Sequence, residues 1–148
     1  MTDQDSPDPA CRALGIAIEE RAPGRARVRM RVTPTMVNLH GLAHGGYLFL
    51  LADAAFAYAS NAPRGPVTVA QGAQVTFLRP VRMGEELIAE AAVRARSGPS
   101  GLYDVTVRRP GGEVVAEFRG HSVALARRPP SVVEEARVPD HCDHGGAA

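Results

Sequence analysis

The sequence predicts an α+β fold in which a curved antiparallel sheet wraps one long central helix. Three observations point to it. Residues 44–61, HGGYLFLLADAAFAYASN, open on a glycine pair and carry apolar side chains on every side of a helical wheel. A helix that is apolar all round is a buried helix. Arg25-Ala26-Arg27-Val28-Arg29-Met30-Arg31-Val32 alternates strictly between arginine and apolar residues, the period of a strand with one wet and one buried face. After the helix come apolar runs separated by Pro- and Gly-containing turns, which read as further strands.

Each element follows in order. Pro9 to Leu14 reads as a short helix ending at Gly15, and Gly15 to Glu20 as a strand turning at Pro23-Gly24 into the alternating one. Pro34 to Ala43 is a loop. The central helix runs from about Gly45 to Asn61 and is stopped by Pro63-Arg64-Gly65-Pro66. Val67 to Leu78 is a strand, with a turn near Pro80 to Gly84. Glu86 to Arg96 leads to a hairpin at Ser97-Gly98-Pro99-Ser100-Gly101. Leu102 to Arg108 then turns at Pro110-Gly111-Gly112 into Val114 to Ala126. One helix apolar on all sides needs the sheet on one side and a second cover on the other, most simply another copy of the chain.

The 148 residues suffice for one domain, expected over 9–127, with polar, Pro- and Gly-containing tails at 1–8 and 128–148 expected to be disordered. A net charge of +1 gives no long-range attraction to nucleic acid or anionic lipid. All 17 basic residues are arginine, which excludes lysine general-base and Schiff-base chemistry. Cys11 and Cys142 lie in what read as mobile ends and make no disulfide framework, so a cytoplasmic location is expected. Met1 to Asp8 has no signal-peptide pattern, and the apolar helix is too short and too interrupted by Asp53 to span a membrane.

Asp53 is the anomaly of the helix. A carboxylate seldom enters an apolar setting without a partner or a purpose, so Asp53 is a candidate working group. The stretch from Asn38 through His44-Gly45-Gly46, Leu51-Ala52-Asp53 and Phe56-Ala57-Tyr58-Ala59 to Asn61 resembles the hotdog acyl-CoA thioesterases, and within them the phenylacetate-degradation (PaaI-type) branch. Thr76-Phe77-Leu78-Arg79-Pro80, Gly101-Leu102-Tyr103-Asp104, Phe118-Arg119-Gly120 and Ala13-Leu14-Gly15-Ile16 carry the same resemblance, which covers about residues 10–126. It implies the hotdog fold and hydrolysis of an acyl-CoA to free acid and coenzyme A without a cofactor. It also implies a phenylacetyl-CoA or ring-hydroxylated phenylacetyl-CoA substrate, and a homodimer or dimer of dimers.

The residues then take roles. The first N–H groups of a helix lack intrahelical partners and form the positive end of its dipole, so Gly45 N–H is a candidate oxyanion donor, with Gly45 and Gly46 both leaving that end uncovered for a carbonyl to approach. Apolar neighbours should raise the Asp53 pKa towards the range of a general base or nucleophile. Gly45 and Asp53 are eight positions apart, about 12 Å of axial rise at roughly 1.5 Å per residue. Both can act on one thioester only from different chains, with two helices antiparallel across a dimer. The resemblance implies the same division, with Asn38, His44 and Gly45 from one subunit and Asp53 from the other. Asn38 would orient water or carboxylate on that reading, or close its own loop turn on the bland one. His44 would hold the thioester or brace the loop.

Arg79, Arg82, Arg94 and Arg96, with Ser97 and Gly98, are candidates for the phosphate-bearing rim of a coenzyme A site. His40 and His44 straddle a glycine-containing loop with no third ligand, so no metal is expected, and His141-Cys142-Asp143-His144 is given no function. Ala70, Gly72 and Ala73 stand where the resembling enzymes often offer a hydroxyl, which implies a more apolar acyl pocket. A hotdog hydratase or dehydratase and a non-catalytic acyl-CoA-binding module are the alternatives, and the presence of Asp53 favours hydrolysis.

Overall fold

Residues 6–127 are described by the computed structural model. A short helix, α1 (Pro9–Ala13), precedes a hairpin of β1 (Ala17–Ala22) and β2 (Arg25–Arg31). The central helix α2 (Gly45–Ser60) follows a loop that holds a single 3-10 turn at Pro34–Met36. The remaining strands are β3 (Thr68–Phe77), β4 (Glu86–Ser97), β5 (Ser100–Arg108) and β6 (Val114–Ala124). All six join one antiparallel sheet in the order β1-β2-β4-β5-β6-β3. The fold class read from the sequence is the one observed, and the long helix is the central one.

The alternation of β2 sorts as expected. Ala26, Val28 and Met30 are buried, and the arginines face outwards. That outer face is cross-linked as well as wet: Arg27 pairs with Glu19 at 3.1 Å and Glu90 at 3.7 Å, and Arg29 with Glu86 at 2.8 Å. The pairs are part-exposed, so each contributes little to stability. On the inner face α2 lies against β2, β4 and β5. Leu51, Ala52, Ala55 and Phe56 meet Val28, Leu87, Val105 and Phe118 in one continuous core. Phe56 comes so close to β6 that a Cβ on Gly120 would lie 2.9 Å from its ring.

Three local expectations need correction. The turn read over Ser97 to Gly101 is tighter, because Ser97 already pairs with Ser100 and only Gly98 and Pro99 connect β4 to β5. Gly98, at φ 56, supplies the left-handed residue that so short a connection requires. Cys11 is no part of a mobile end: it is 2% exposed and belongs to the core. Asp8, counted with the tail on composition, caps α1 by accepting from Cys11 N–H at 2.9 Å and from the Tyr58 hydroxyl at 3.1 Å. Cys142 and the C-terminal tail lie outside the described residues.

The helix expected to be buried on all sides is covered on one. Gly46, Phe49, Asp53 and Ala57 form a stripe that is exposed or half-exposed, and the edge strand β3 is exposed along almost all of its length.

Candidate active site

The N-terminus of α2 is held by its loop. Asn38 N–H donates to Leu42 O at 2.8 Å, and its side-chain oxygen accepts from His40 N–H at 2.9 Å and Leu42 N–H at 3.1 Å. This is the side-chain turn that Asn forms readily, and it leaves the Asn38 amide NH2 uncommitted among the described residues. Ala43 N–H donates to Val81 O at 2.8 Å and His44 N–H to Met36 O at 2.9 Å. These bonds pin the helix entry from two sides.

His44 is the N-cap residue, but its ring makes no capping bond and is exposed. Neither Gly45 N–H nor Gly46 N–H donates to a backbone acceptor among the described residues. Two helix N–H groups thus remain available at the positive end of the dipole, the arrangement that receives a developing negative charge.

The expectation that both glycines leave this end uncovered is half right. Nothing lies within 4 Å of a Cβ added at Gly46, whereas one at Gly45 would sit 2.7 Å from Phe77 Cζ. Phe77, at the end of β3, is a site residue that the sequence marked only as part of its Phe77-Leu78-Arg79-Pro80 run. The cleft beside it, about 410 Å³, is lined by Asn38, Gly45, Leu48, Phe77, Leu78 and Arg79. Its walls are mostly apolar, with one cation at the rim. Arg79 reaches the Val114 carbonyl and lies 3.7 Å from Glu113. Arg82 is exposed close by, in the segment that bridges to Leu42.

Asp53 is absent from this cleft. It lies two turns along α2, half-buried on the uncovered stripe, and burial, with no compensating partner, pushes its pKa up. Desolvation of this kind is what keeps a carboxylate basic enough to take a proton near working pH.

The remaining candidates fall elsewhere. Arg96 donates to the Tyr103 hydroxyl at 3.1 Å, and Arg96 and Gly98 line a separate cavity of about 210 Å³ beside Ser60, at the opposite end of α2. Arg94 lies 3.2 Å from Asp104, and Ser97 is committed to the β4–β5 pairing. One chain therefore joins Asn38, Gly45 and Arg79, and separates them from Asp53 and from Arg96. No group of three or more His, Cys, Asp or Glu that could hold a metal occurs among the described residues.

Comparison with known proteins gives this geometry a context. Residues 40–116 match the thioesterase superfamily. The chain is 44% identical over 115 residues to the acyl-coenzyme A thioesterase PaaI of Escherichia coli (strain K12), covering 78% of this chain and 81% of the relative. The structure of the PaaI protein from the E. coli phenylacetic acid degradation operon superposes with a TM-score of 0.76 at 43% identity, covering 80% of this chain and 85% of that one. A variant of the phenylacetic acid degradation protein PaaI from Thermus thermophilus superposes at 0.75 and 41%, covering 80% and 100%. A helix laid across an antiparallel sheet, a free N–H pair at its start and a family match through both make this chain a member of the thioesterase superfamily, with the hotdog fold of a thioester hydrolase.

Proposed function

We propose that the protein hydrolyses acyl-CoA thioesters to a free acid and coenzyme A, acting on phenylacetyl-type acyl groups, with each active site shared by two chains. The observation that carries this reading is the separation of the two halves of the chemistry. The cleft at the head of α2 offers N–H donors but no carboxylate. Asp53, eight positions along, is desolvated on a face with no cover in the single chain. Two α2 helices packed antiparallel through the Gly46–Ala57 stripe would bring one chain's Gly45 opposite the other's Asp53.

In that arrangement the thioester carbonyl lies at Gly45 N–H, where the dipole stabilises the oxyanion. The desolvated Asp53 carboxylate either takes a proton from a water that attacks the carbonyl, or attacks the carbonyl itself to give a mixed anhydride that water then hydrolyses to the free acid. Collapse of the tetrahedral species expels the coenzyme A thiolate. The uncommitted Asn38 amide orients the water or the carbonyl, and His44 flanks the same entry. Arg79 and Arg82 face the phosphates of coenzyme A from the rim of the cleft. Arg96 and Gly98 come near a bound coenzyme A only from the partner side, because they lie at the far end of α2. Residues 9–127 act as one domain, in a cytoplasmic dimer that can pair into a tetramer. The similarity to PaaI proteins of phenylacetic acid degradation supports the aryl-acetyl preference.

The test is coenzyme A release, followed with a thiol reagent, from a panel of aryl and aliphatic acyl-CoAs. Asp53→Asn should lower kcat by about 10² to 10⁴, the usual worth of a positioned general base. Mixing Asp53→Asn and Asn38→Ala protomers should then recover up to about a quarter of wild-type sites, the statistical yield of an exchanging twofold dimer. Turnover that survives Asp53→Asn, or mixtures that never recover, would remove the shared-site mechanism.

A further inference from the structure

The two glycines that open α2 look alike in the sequence, yet only one is dictated by its surroundings. Gly45 does not adopt a positive φ, so its backbone does not require glycine. What requires it is the Phe77 ring, three of whose atoms lie 2.7 to 3.2 Å from where a Cβ would stand. The nearest of these, Phe77 Cζ at 2.7 Å, is closer than real Cβ atoms come, so a methyl group here displaces either the ring or the helix end.

The backbone that carries the ring is held in place. Phe77 pairs with Ala116 at the last register position of β3. Immediately after it, Leu78 N–H and Arg79 N–H both donate to Val115 O, at 2.8 and 3.2 Å. The strand end is pinned, so the ring can yield only by turning about its own side-chain bonds, away from the position it takes beside Gly45. Yet Phe77 is 50% exposed and lines the cleft alongside Asn38, Gly45 and Leu48. One side of the ring rests on the glycine that presents the N–H donor, and the rest faces the space a substrate would enter.

We propose that Phe77 is a substrate-positioning residue, its ring seated on Gly45 and setting where an acyl thioester stands relative to the Gly45 N–H. The proposal rests on the reading of that N–H as oxyanion donor. Gly45 and Phe77 form a size-matched pair: the missing side chain of one makes room for the ring of the other, and the ring supplies an apolar wall that holds an apolar acyl group by contact.

The test uses the full-length protein with Phe77→Ala, Gly45→Ala and the double variant, each checked by thermal melting. Two readouts are taken: steady-state hydrolysis of phenylacetyl-CoA and acetyl-CoA, and binding of a non-hydrolysable thioether analogue of phenylacetyl-CoA against free coenzyme A. Phe77→Ala should weaken the analogue by about fivefold to tenfold, the worth of one aromatic contact, while leaving free coenzyme A unchanged. Its kcat/KM should fall more for phenylacetyl-CoA than for acetyl-CoA. Gly45→Ala should lose turnover, and removing the ring as well should restore it by about tenfold.

A Phe77→Ala protein that binds the analogue and turns over both substrates as wild type does would overturn the assignment. So would a double variant no better than Gly45→Ala. If wild type hydrolyses no thioester, the hydrolase reading fails and the positioning role is judged on analogue binding alone. If wild type also fails to bind the analogue, both are overturned.

Discussion

At the scale of single residues, the proposed mechanism makes the charge state of Asp53 link stability to activity. Burial raises its pKa above the ordinary carboxylate value of 3.8, with no hydrogen bond or cation acting the other way. The folded state therefore favours the protonated form. This group stabilises the fold fully below the unfolded pKa, and that contribution is lost as pH rises through the raised folded value. Asp53→Asn removes the penalty of a buried charge. The variant should melt higher than wild type at pH 7, and the two should converge near pH 3.5, a comparison that scanning calorimetry makes directly. The rate should move the other way: the acidic limb of kcat/KM should lie above the ordinary carboxylate range in wild type. A higher melting temperature at neutral pH joined to lost turnover is the signature of a strained working group.

At the scale of elements, the helix depends on what happens at its two ends. Its start has no side-chain cap and leaves N–H groups open, whereas its end is tied down. Asn61 Nδ2 donates to Ala57 O at 2.9 Å and Thr68 O at 3.1 Å, and its Oδ1 accepts from Thr68 N–H at 2.9 Å. One side chain thus closes the helix and starts β3 beside it. Asn61→Ala should cost about 1–2 kcal/mol, since it leaves part-buried backbone groups unpaired, and a urea midpoint would register it. Gly120→Ala should cost about 1–3 kcal/mol by forcing the Phe56 and Phe118 rings apart. Neither residue lines the cleft, so the residual folded protein should keep its KM.

At the scale of the whole molecule, the surface left open on one chain is a helix stripe flanked by an edge strand. An edge strand with one open side and no charged residue, such as β3 from Thr68 to Phe77, is a template for pairing, and the small residues along α2 allow a second helix close approach. Sedimentation should show at least a dimer for wild type. Ala57→Glu, which places a charge at the C-terminal end of the stripe without touching the cleft of its own chain, should release monomers and abolish turnover together. Monomers that remain active would show that one chain suffices.

How much of this could be read beforehand depended on the range of the interaction. The helix from Gly45, the alternating strand β2 and the succession of strands along the chain all follow from local periods and turn residues, which a single chain displays in full. Asp53 stood out because a charge inside an apolar run is a local anomaly, and Asn38, Gly45 and Arg79 because they sit in a familiar pattern. What no local signal carries is adjacency across the sheet. Phe77 reaches Gly45 because β3, next in sequence after α2, pairs with the last strand rather than the nearest. Cys11 is buried because α1 folds back onto Tyr58. Arg96 is separated from Arg79 because β3 ends beside the start of α2 and β4 ends beside its last turn. Local sequence sets the elements and marks the candidate groups, because both are read within a few residues. The tertiary structure alone decided which of those groups meet, because contact across a sheet depends on strand order and register, which hydrophobic period and turn chemistry leave open.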